Sequence, residues 1–173
     1  FSENISPRRK FRLAKTGALC YNIFIKRKGD FVLKIGDTEI KHGIFLAPMA
    51  GYTDRAMRLL ARENLCEFTT TEMVSAKAVT YGDKKTFTLG RIYEDEGPVA
   101  LQLFGSEPNV LAEAGGIILR HESEEIARGN TLPDGTRIAL PVAFDINMGC
   151  PVGKTFSNGE GSALRQNPDL IYR

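Results

Sequence analysis

The chain has 173 residues, with no tryptophan and only three cysteines. Cys20, Cys66 and Cys150 lie far apart, are odd in number and form no C-x-x-C pair, which argues against a disulfide framework and predicts no metal site. No apolar run approaches the roughly 20 residues that cross a membrane, and no secretory signal is visible. We therefore expect a protein of a reducing compartment, the cytoplasm.

The net charge of +2 is small but unevenly distributed. Residues 1–34 hold nine Lys and Arg against two acidic residues, and the remainder holds 14 against 19. Three interpretations of the basic start stay open: a nucleic-acid-binding arm, a solvated tail without structure, or a stretch foreign to the folded domain. We divide the chain into a basic extension, residues 1–30, and a folded domain, residues 31–173.

The folded domain alternates strand-like and helix-like segments. Strands are predicted to start near residues 44, 68, 99 and 142, after a small hairpin over 31–40, and this alternation is typical of a parallel α/β sheet. No G-x-G-x-x-G follows the first strand, which disfavours a dinucleotide-binding start. Polar residues cluster where strands end, as in a TIM (β/α)₈ barrel, of which four strands make half. We expect the chain to stop midway through such a barrel.

The pattern also predicts details of the helices. Thr53 is expected to cap a first helix, and Pro108 and Asn167-Pro168 to open later ones. Residues of about 121–140 are polar and are interpreted as a helix extension followed by an inserted loop; His121 lies there and is expected to be a surface residue. In the first helix, the apolar side is expected to be buried and the arginines to face solvent; the residues concerned are Ala56, Met57, Leu60 and Ala61, and Arg55, Arg58 and Arg62.

The most informative segment is Asn147-Met148-Gly149-Cys150-Pro151, which follows the fourth strand. Glycine lets the backbone approach a ligand and proline fixes the exit of the chain, so the cysteine is predicted to be an exposed thiol on a stiff turn. The alternative is a buried structural cysteine. The glycine-rich segment that follows, residues 151–154 and 158–164, is either a lid over the thiol or an inert loop.

Other polar or special residues follow the earlier strands. Gln102 interrupts an apolar strand; it could bind a cofactor ring that has donor and acceptor edges, or be a satisfied core residue. Pro48, Met49 and Ala50 could lie against a flat ring, or form a simple turn. Asn147 could contact an amide-like edge of a substrate, or merely cap a turn.

Five motifs, in this order, make the chain similar to a known family. They are Ala47–Asp54 (APMAGYTD), Thr71–Ala76 (TEMVSA), Pro98–Gly105 (PVALQLFG), Asp145–Pro151 (DINMGCP) and Asn158–Leu164 (NGEGSAL). Together they resemble the N-terminal half of a bacterial tRNA-dihydrouridine synthase, of the B type judging by MVSAKA at 73–78 and YGDKKT at 81–86. The likeness covers roughly residues 33–173.

The resemblance implies a flavin-dependent barrel followed by a helical tRNA-binding domain. Such enzymes use FMN and NADPH to reduce the C5–C6 double bond of uridine in tRNA, with a cysteine that protonates C5. By the same resemblance, Cys150 is the proton donor, Pro48, Met49 and Ala50 line the FMN, Gln102 hydrogen-bonds its ring, and Asn147 contacts the target uracil.

The family's flavin-contacting lysine and histidine, its phosphate-binding glycines and its helical domain are expected beyond residue 173. The 173-residue chain alone is therefore expected to bind FMN poorly and to lack activity. Two alternatives stay open: an FMN barrel that acts on a free pyrimidine or an enone, and an inactive fragment or RNA-binding remnant that uses its basic N-terminus.

Overall fold

The computed structural model describes residues 33–172 of the chain. The predicted extension over 1–30 lies outside the described residues, as do Phe31 and Val32. The strands are β1 (Leu33–Ile35), β2 (Thr38–Ile40), β3 (Phe45–Leu46), β4 (Phe68–Thr70), β5 (Val74–Ser75), β6 (Ile92–Tyr93), β7 (Val99–Phe104), β8 (Ile138–Ala139) and β9 (Ala143–Ile146). The α-helices are α1 (Arg55–Glu63), α2 (Ala76–Thr80), α3 (Lys84–Gly90), α4 (Pro108–Ala127), α5 (Gly153–Ser157) and α6 (Pro168–Ile171), with short 3₁₀ helices at Glu94–Glu96 and Gly161–Gln166.

The main sheet is parallel and follows chain order. Strand β3 pairs with β4, β4 with β7, and β7 with β9. The short strand β5 pairs with the last residues of β7, beyond those that pair with β4. The helices α1 and α4 connect successive strands of this sheet. The predicted parallel α/β sheet is confirmed, and its four strand positions form half of a (β/α)₈ barrel.

One face of the sheet packs against the helices. Val99, Leu101 and Leu103 alternate along β7 and are buried with Ala114 and Ile118 of α4. A Cβ on Gly115 would lie 3.4 Å from the ring of Phe144, so this glycine permits the close approach of α4 to β9. Since Leu101 and Leu103 are 2% and 1% exposed, each contributes roughly 1.5–3 kcal/mol through burial.

The other face of the sheet is the barrel interior, and it changes from apolar to polar along the strands. At its start, Ile40 of the β1–β2 hairpin is buried with Phe68 and Ala100. One side-chain layer further along, Gln102 lies directly opposite Asp145. The hairpin thus closes the amino end of the interior, and polar groups gather towards the carboxyl end.

A β-bulge separates β4 from β5. Thr70 lies opposite Ala100 and Val74 opposite Leu103, so three residues (71–73) face two residues (101–102) of β7. The Thr71 hydroxyl accepts the Gln102 backbone N–H at 3.1 Å and thereby replaces a ladder carbonyl. Such bulges re-aim side chains and are common beside active sites. The second strand was predicted as unbroken over 68–73, and the bulge is a correction to that prediction.

The prediction for α1 is wrong in two respects. Arg58 is 2% exposed whereas Leu60 is 53% exposed, because the Arg58 guanidinium donates to Glu96 Oε2 (2.5 Å) and to the Thr53 carbonyl (2.8 Å). A buried charge is tolerated when it is paired and hydrogen-bonded in this way. Thr53 is fully buried, and the N-cap is Asp54, whose carboxylate accepts the Met57 N–H at 2.9 Å.

The polar stretch of about 121–140 lies towards the amino ends of the strands. Helix α4 continues to Ala127, a turn at residues 132–135 follows, and β8 pairs antiparallel with β6. His121 is half-buried, and its ring stacks on Phe87 of α3 at 4.3 Å. At the other end, Asn167 caps α6 as predicted, accepting the Leu170 N–H at 3.3 Å.

Candidate active site at the carboxyl ends of the strands

The predicted site residues lie in or directly after parallel strands of one sheet. Pro48, Met49 and Ala50 come after β3, Gln102 lies in β7, and Asn147 comes after β9 with Cys150 three residues later. Because the carboxyl ends of parallel strands meet at one rim, the fold gathers these segments on the same side of the barrel. What they can do there depends on their hydrogen bonds.

A chain of hydrogen bonds, here called the relay, links Asp145, Gln102, Asn147 and Cys150. Gln102 Nε2 donates to Asp145 Oδ2 at 2.6 Å, and Asn147 Nδ2 donates to Gln102 Oε1 at 2.9 Å. Asn147 Oδ1 then accepts the Cys150 backbone N–H at 3.0 Å and that of Gly149 at 3.3 Å. The side-chain amides of Gln102 and Asn147 are therefore fixed by hydrogen bonds within the protein, and Asn147 shapes the turn that carries the cysteine.

Cys150 is held from its other side by the glycine-rich segment. The Cys150 carbonyl accepts the Ser162 N–H at 3.0 Å. Gly161, at φ +60°, is so close that an added Cβ would lie 2.6 Å from the Cys150 carbonyl oxygen and 3.1 Å from its Cβ. The segment that was predicted to be a lid or an inert loop therefore packs against the cysteine backbone and fixes it.

The two described cysteines lie in opposite environments. Cys150 is partly exposed and both cysteines are free thiols. Cys66 is buried, its Sγ lies 3.1 Å from the Phe68 carbonyl, and burial raises the pKa of its thiol. Since the thiolate is the reactive form of cysteine, Cys66 fits a structural role and Cys150 remains the candidate for chemistry among residues 33–172.

The turn after β3 is stabilised by hydrogen bonds among its own residues. The Met49 N–H donates to the Thr53 hydroxyl at 3.0 Å, and the Met49 carbonyl accepts the N–H groups of Tyr52 and Thr53 at 3.0 Å each. Ala50 is exposed at the rim and the Gly51 N–H donates to the Glu72 carboxylate. The Met49 backbone groups are thus engaged by the turn, so a ring at this place would meet side chains and exposed surface.

Sequence reasoning assigned no role to three residues that build the site. Asp145 lies among apolar residues of β9, and its place opposite Gln102 follows from strand alternation once the pairing is known. Glu72 lies near the end of the predicted second strand, but nothing in the sequence signals the bulge that directs it towards Gly51. Gly161 was counted only as a member of a glycine-rich loop.

Comparisons with known proteins agree with this geometry. Residues 45–127 and 140–173 match the family model described as dihydrouridine synthase (Dus). The match passes over 128–139, which lies inside the stretch of about 121–140 that was predicted to hold an insertion. It covers the strands β3, β4, β7 and β9 and every candidate site residue.

Similar proteins carry matching names. The chain is 36% identical over 140 residues (81% of this chain and 36% of the relative) to a "Probable tRNA-dihydrouridine synthase" of Treponema pallidum. It is 32% identical over 139 residues to tRNA-dihydrouridine synthase B of Pasteurella multocida (80% and 36%). To the Escherichia coli K12 protein of the same name it is 33% identical over 140 residues (80% and 38%). The chain thus spans little more than a third of the length of these relatives.

Proposed function

The chain belongs to the dihydrouridine synthase family, and we propose that it supplies the N-terminal part of an FMN- and NADPH-dependent enzyme that reduces uridines of tRNA to 5,6-dihydrouridine. In this proposal Cys150 is the proton donor, and Pro48, Met49, Ala50 and Gln102 face the FMN. Asn147 contacts the target uracil. The enzyme acts in the cytoplasm, where residues 31–173 contribute half of the barrel.

The observation that carries this proposal is the position of Cys150. Cys150 is partly exposed at the carboxyl rim, while its backbone is held by Asn147 Oδ1 and by the Ser162 N–H, each at 3.0 Å. Protonation of a carbon requires an acid held within reach of a ring, and a side chain on a fixed backbone meets that need. The backbone of Cys66 is hydrogen-bonded as well, but Cys66 is buried and precedes the amino end of β4.

The residues at the rim fit a flavin ring. Gln102 is 5% exposed and uses one N–H of its amide for Asp145, so its second N–H remains for a ring carbonyl. Met49 and Ala50 offer apolar surface on the same side. FMN, when bound, supplies the hydride that it has taken from NADPH.

The chain's own residues would act on the uracil as follows. Asn147 keeps one N–H of its amide beyond the bond to Gln102, and this donor suits a uracil carbonyl. Cys150 gives its proton to C5 and is left as a thiolate until solvent reprotonates it. A uridine in folded tRNA has to leave its stack to reach this rim, which makes the extruded base the substrate.

The other enzymatic interpretation, an FMN barrel for a free pyrimidine or an enone, loses support because the family match includes the Asn147–Pro151 turn and the segment that packs on it. The RNA-binding remnant was inferred from the basic start of the chain, which lies outside the described residues.

A chimera tests the proposal without requiring that the chain be active alone. Residues 33–173 replace the corresponding region of the Escherichia coli relative. The hybrid is produced in cells that lack their own synthase for the same uridine, and dihydrouridine in tRNA is measured by mass spectrometry. We expect the modification to form, and Cys150→Ala to abolish it while FMN content and NADPH-driven flavin reduction persist. Cys66→Ala is the matched control and should retain the modification.

Two results would count against the proposal. The first is a hybrid that holds FMN and oxidises NADPH but forms no dihydrouridine. The second is full modification by the Cys150→Ala hybrid, which would remove this thiol from the reaction.

A further inference from the structure

Asp145 is the one member of the relay for which neither the sequence nor the proposed reaction supplies a role. We propose that Asp145 is a positioning residue whose carboxylate sets the direction of the relay through Gln102 and Asn147 to the backbone N–H of Cys150. The relay thereby decides which groups the rim offers to a ring. The statement about a ring rests on the function proposed above, whereas the direction of the relay does not.

The direction follows from hydrogen-bond chemistry. A carboxylate only accepts, so Gln102 has to turn its Nε2 towards Asp145 Oδ2, at 2.6 Å. Its Oε1 then faces Asn147 and accepts Nδ2 at 2.9 Å. A carboxamide by itself has no preferred direction, since its nitrogen and oxygen are nearly the same size and shape. One charged group thus orients two amides.

The last bond of the relay shapes the cysteine turn. With Nδ2 committed to Gln102, Asn147 presents Oδ1 to the N–H groups of Gly149 and Cys150, at 3.3 and 3.0 Å. If the Asn147 amide were reversed, its NH₂ group would face these two N–H donors and the turn would lose both bonds. Asp145 therefore supports the position of Cys150 without contacting it.

The direction also fixes the chemistry of the rim. Each amide nitrogen carries two hydrogens and uses one in the relay, so Gln102 and Asn147 each keep one N–H for a ligand. The rim therefore favours rings that present carbonyl oxygens. Uracil and the flavin ring both present such oxygens, whereas a ring edge of amino groups would meet donor against donor.

Moving the charge along the relay tests the proposal. Asn147→Asp leaves a carboxylate at both ends of Gln102, whose single amide nitrogen cannot serve both. Adding Asp145→Asn lets the whole relay reverse: residue 145 donates to Gln102 Oε1, Gln102 Nε2 donates to residue 147, and the Cys150 N–H keeps its acceptor. Thermal unfolding is measured on the 173-residue chain without FMN, NADPH or tRNA, with the exposed Asp169→Asn as control.

We expect Asn147→Asp to lower the unfolding midpoint by roughly 4–8 °C, Asp145→Asn by less than half of that, and the double variant to regain at least half of the loss. Removing the negative charge of residue 145 would itself raise the midpoint of Asn147→Asp. Asp145→Leu/Asn147→Asp is therefore the matched control, because leucine lacks the charge and cannot donate a hydrogen bond to Gln102. The proposal is overturned if Asp145→Asn/Asn147→Asp has an unfolding midpoint no higher than that of Asp145→Leu/Asn147→Asp.

A second measurement applies if Asn147→Asp does not fold. The ¹⁵N amide signal of Cys150 should shift in Gln102→Glu, which places two carboxylates together, and return towards its original position in Gln102→Glu/Asp145→Asn, where residue 145 donates. If the position of the Cys150 amide signal is the same in the wild type and in both variants, the relay is contradicted. Because these measurements use no cofactor or RNA, the relay and the proposed function can fail independently.

Discussion

Gly161→Ala is the most direct test of how Cys150 is held. Gly161 adopts φ +60°, in the left-handed region that alanine avoids. An alanine Cβ would also lie 2.6 Å from the Cys150 carbonyl oxygen and 3.0 Å from Thr155 Cγ2. The carbonyl belongs to the backbone and accepts the Ser162 N–H, so it cannot move aside freely. The substitution therefore combines backbone strain with a clash at the cysteine itself.

The chain provides a control that separates the two costs. Gly159 has φ +74°, but its nearest neighbour to an added Cβ, Ser106 Cβ, lies 3.7 Å away, an ordinary contact. Gly159→Ala should cost roughly 1 kcal/mol for the left-handed backbone alone. Gly161→Ala adds about 2 kcal/mol of overpacking, giving roughly 3 kcal/mol in total. In a chain of this size the difference corresponds to a midpoint lower by roughly 4–8 °C.

Differential scanning calorimetry of the wild type and the two variants measures this difference, and urea unfolding checks it at constant temperature. Equal losses in the two variants would refute the reasoning, because the clash at Cys150 would then contribute nothing. A larger loss in Gly159→Ala than in Gly161→Ala would refute it as well.

Three further predictions concern other residues. In the folded chain iodoacetamide should alkylate Cys150 and spare Cys66, whose thiol pKa burial raises, whereas both should react in urea; peptide mass spectrometry that finds Cys66 labelled first would contradict the burial argument. Glu67 is partly buried, which alone would raise its pKa, but the backbone N–H groups of Lys41, His42 and Gly43 hold that pKa below its ordinary value. Its stabilising contribution should be complete above about pH 4.5 and fade as pH falls through the lower folded pKa, so Glu67→Gln should flatten stability against pH over that acidic range. Arg58→Met should lower the free energy of unfolding by about 3–5 kcal/mol, because it leaves Glu96 buried and unpaired. In urea unfolding, Arg58→Met/Glu96→Leu should lose less stability than Arg58→Met alone.

Features set by neighbouring residues were predictable from the sequence. Strand β7 is a continuous apolar run with one glutamine, and the structure places it at the predicted residues, Val99–Phe104. The Asn167-Pro168 pair marked the start of α6 for a local reason, since asparagine caps and proline fits the first turn. The turn that carries the partly exposed Cys150 was likewise predictable from five consecutive residues.

Features set by distant partners were not predictable in the same way. A helical pattern with Arg58 among polar residues predicts a solvated arginine, whereas Glu96, 38 residues away, supplies the carboxylate that pairs with the buried guanidinium. The bulge that contains Glu72 depends on the Thr71 hydroxyl, which accepts the backbone N–H of Gln102, 31 positions away. Composition and periodicity carry no information about such pairs.

The site shows most clearly why single motifs are insufficient. Gln102 and Asp145 lie 43 residues apart in sequence, and each alone is an unfavourable polar residue in an apolar strand. They become favourable together because β7 and β9 pair in the register that puts 102 opposite 145. A slip by one residue would turn Asp145 towards the apolar layer that holds Phe144 and Ile146, where a carboxylate has no partner. The relay therefore constrains the register of β9, and the same bonds that orient Asn147 beneath Cys150 help to specify the sheet on which the site is built.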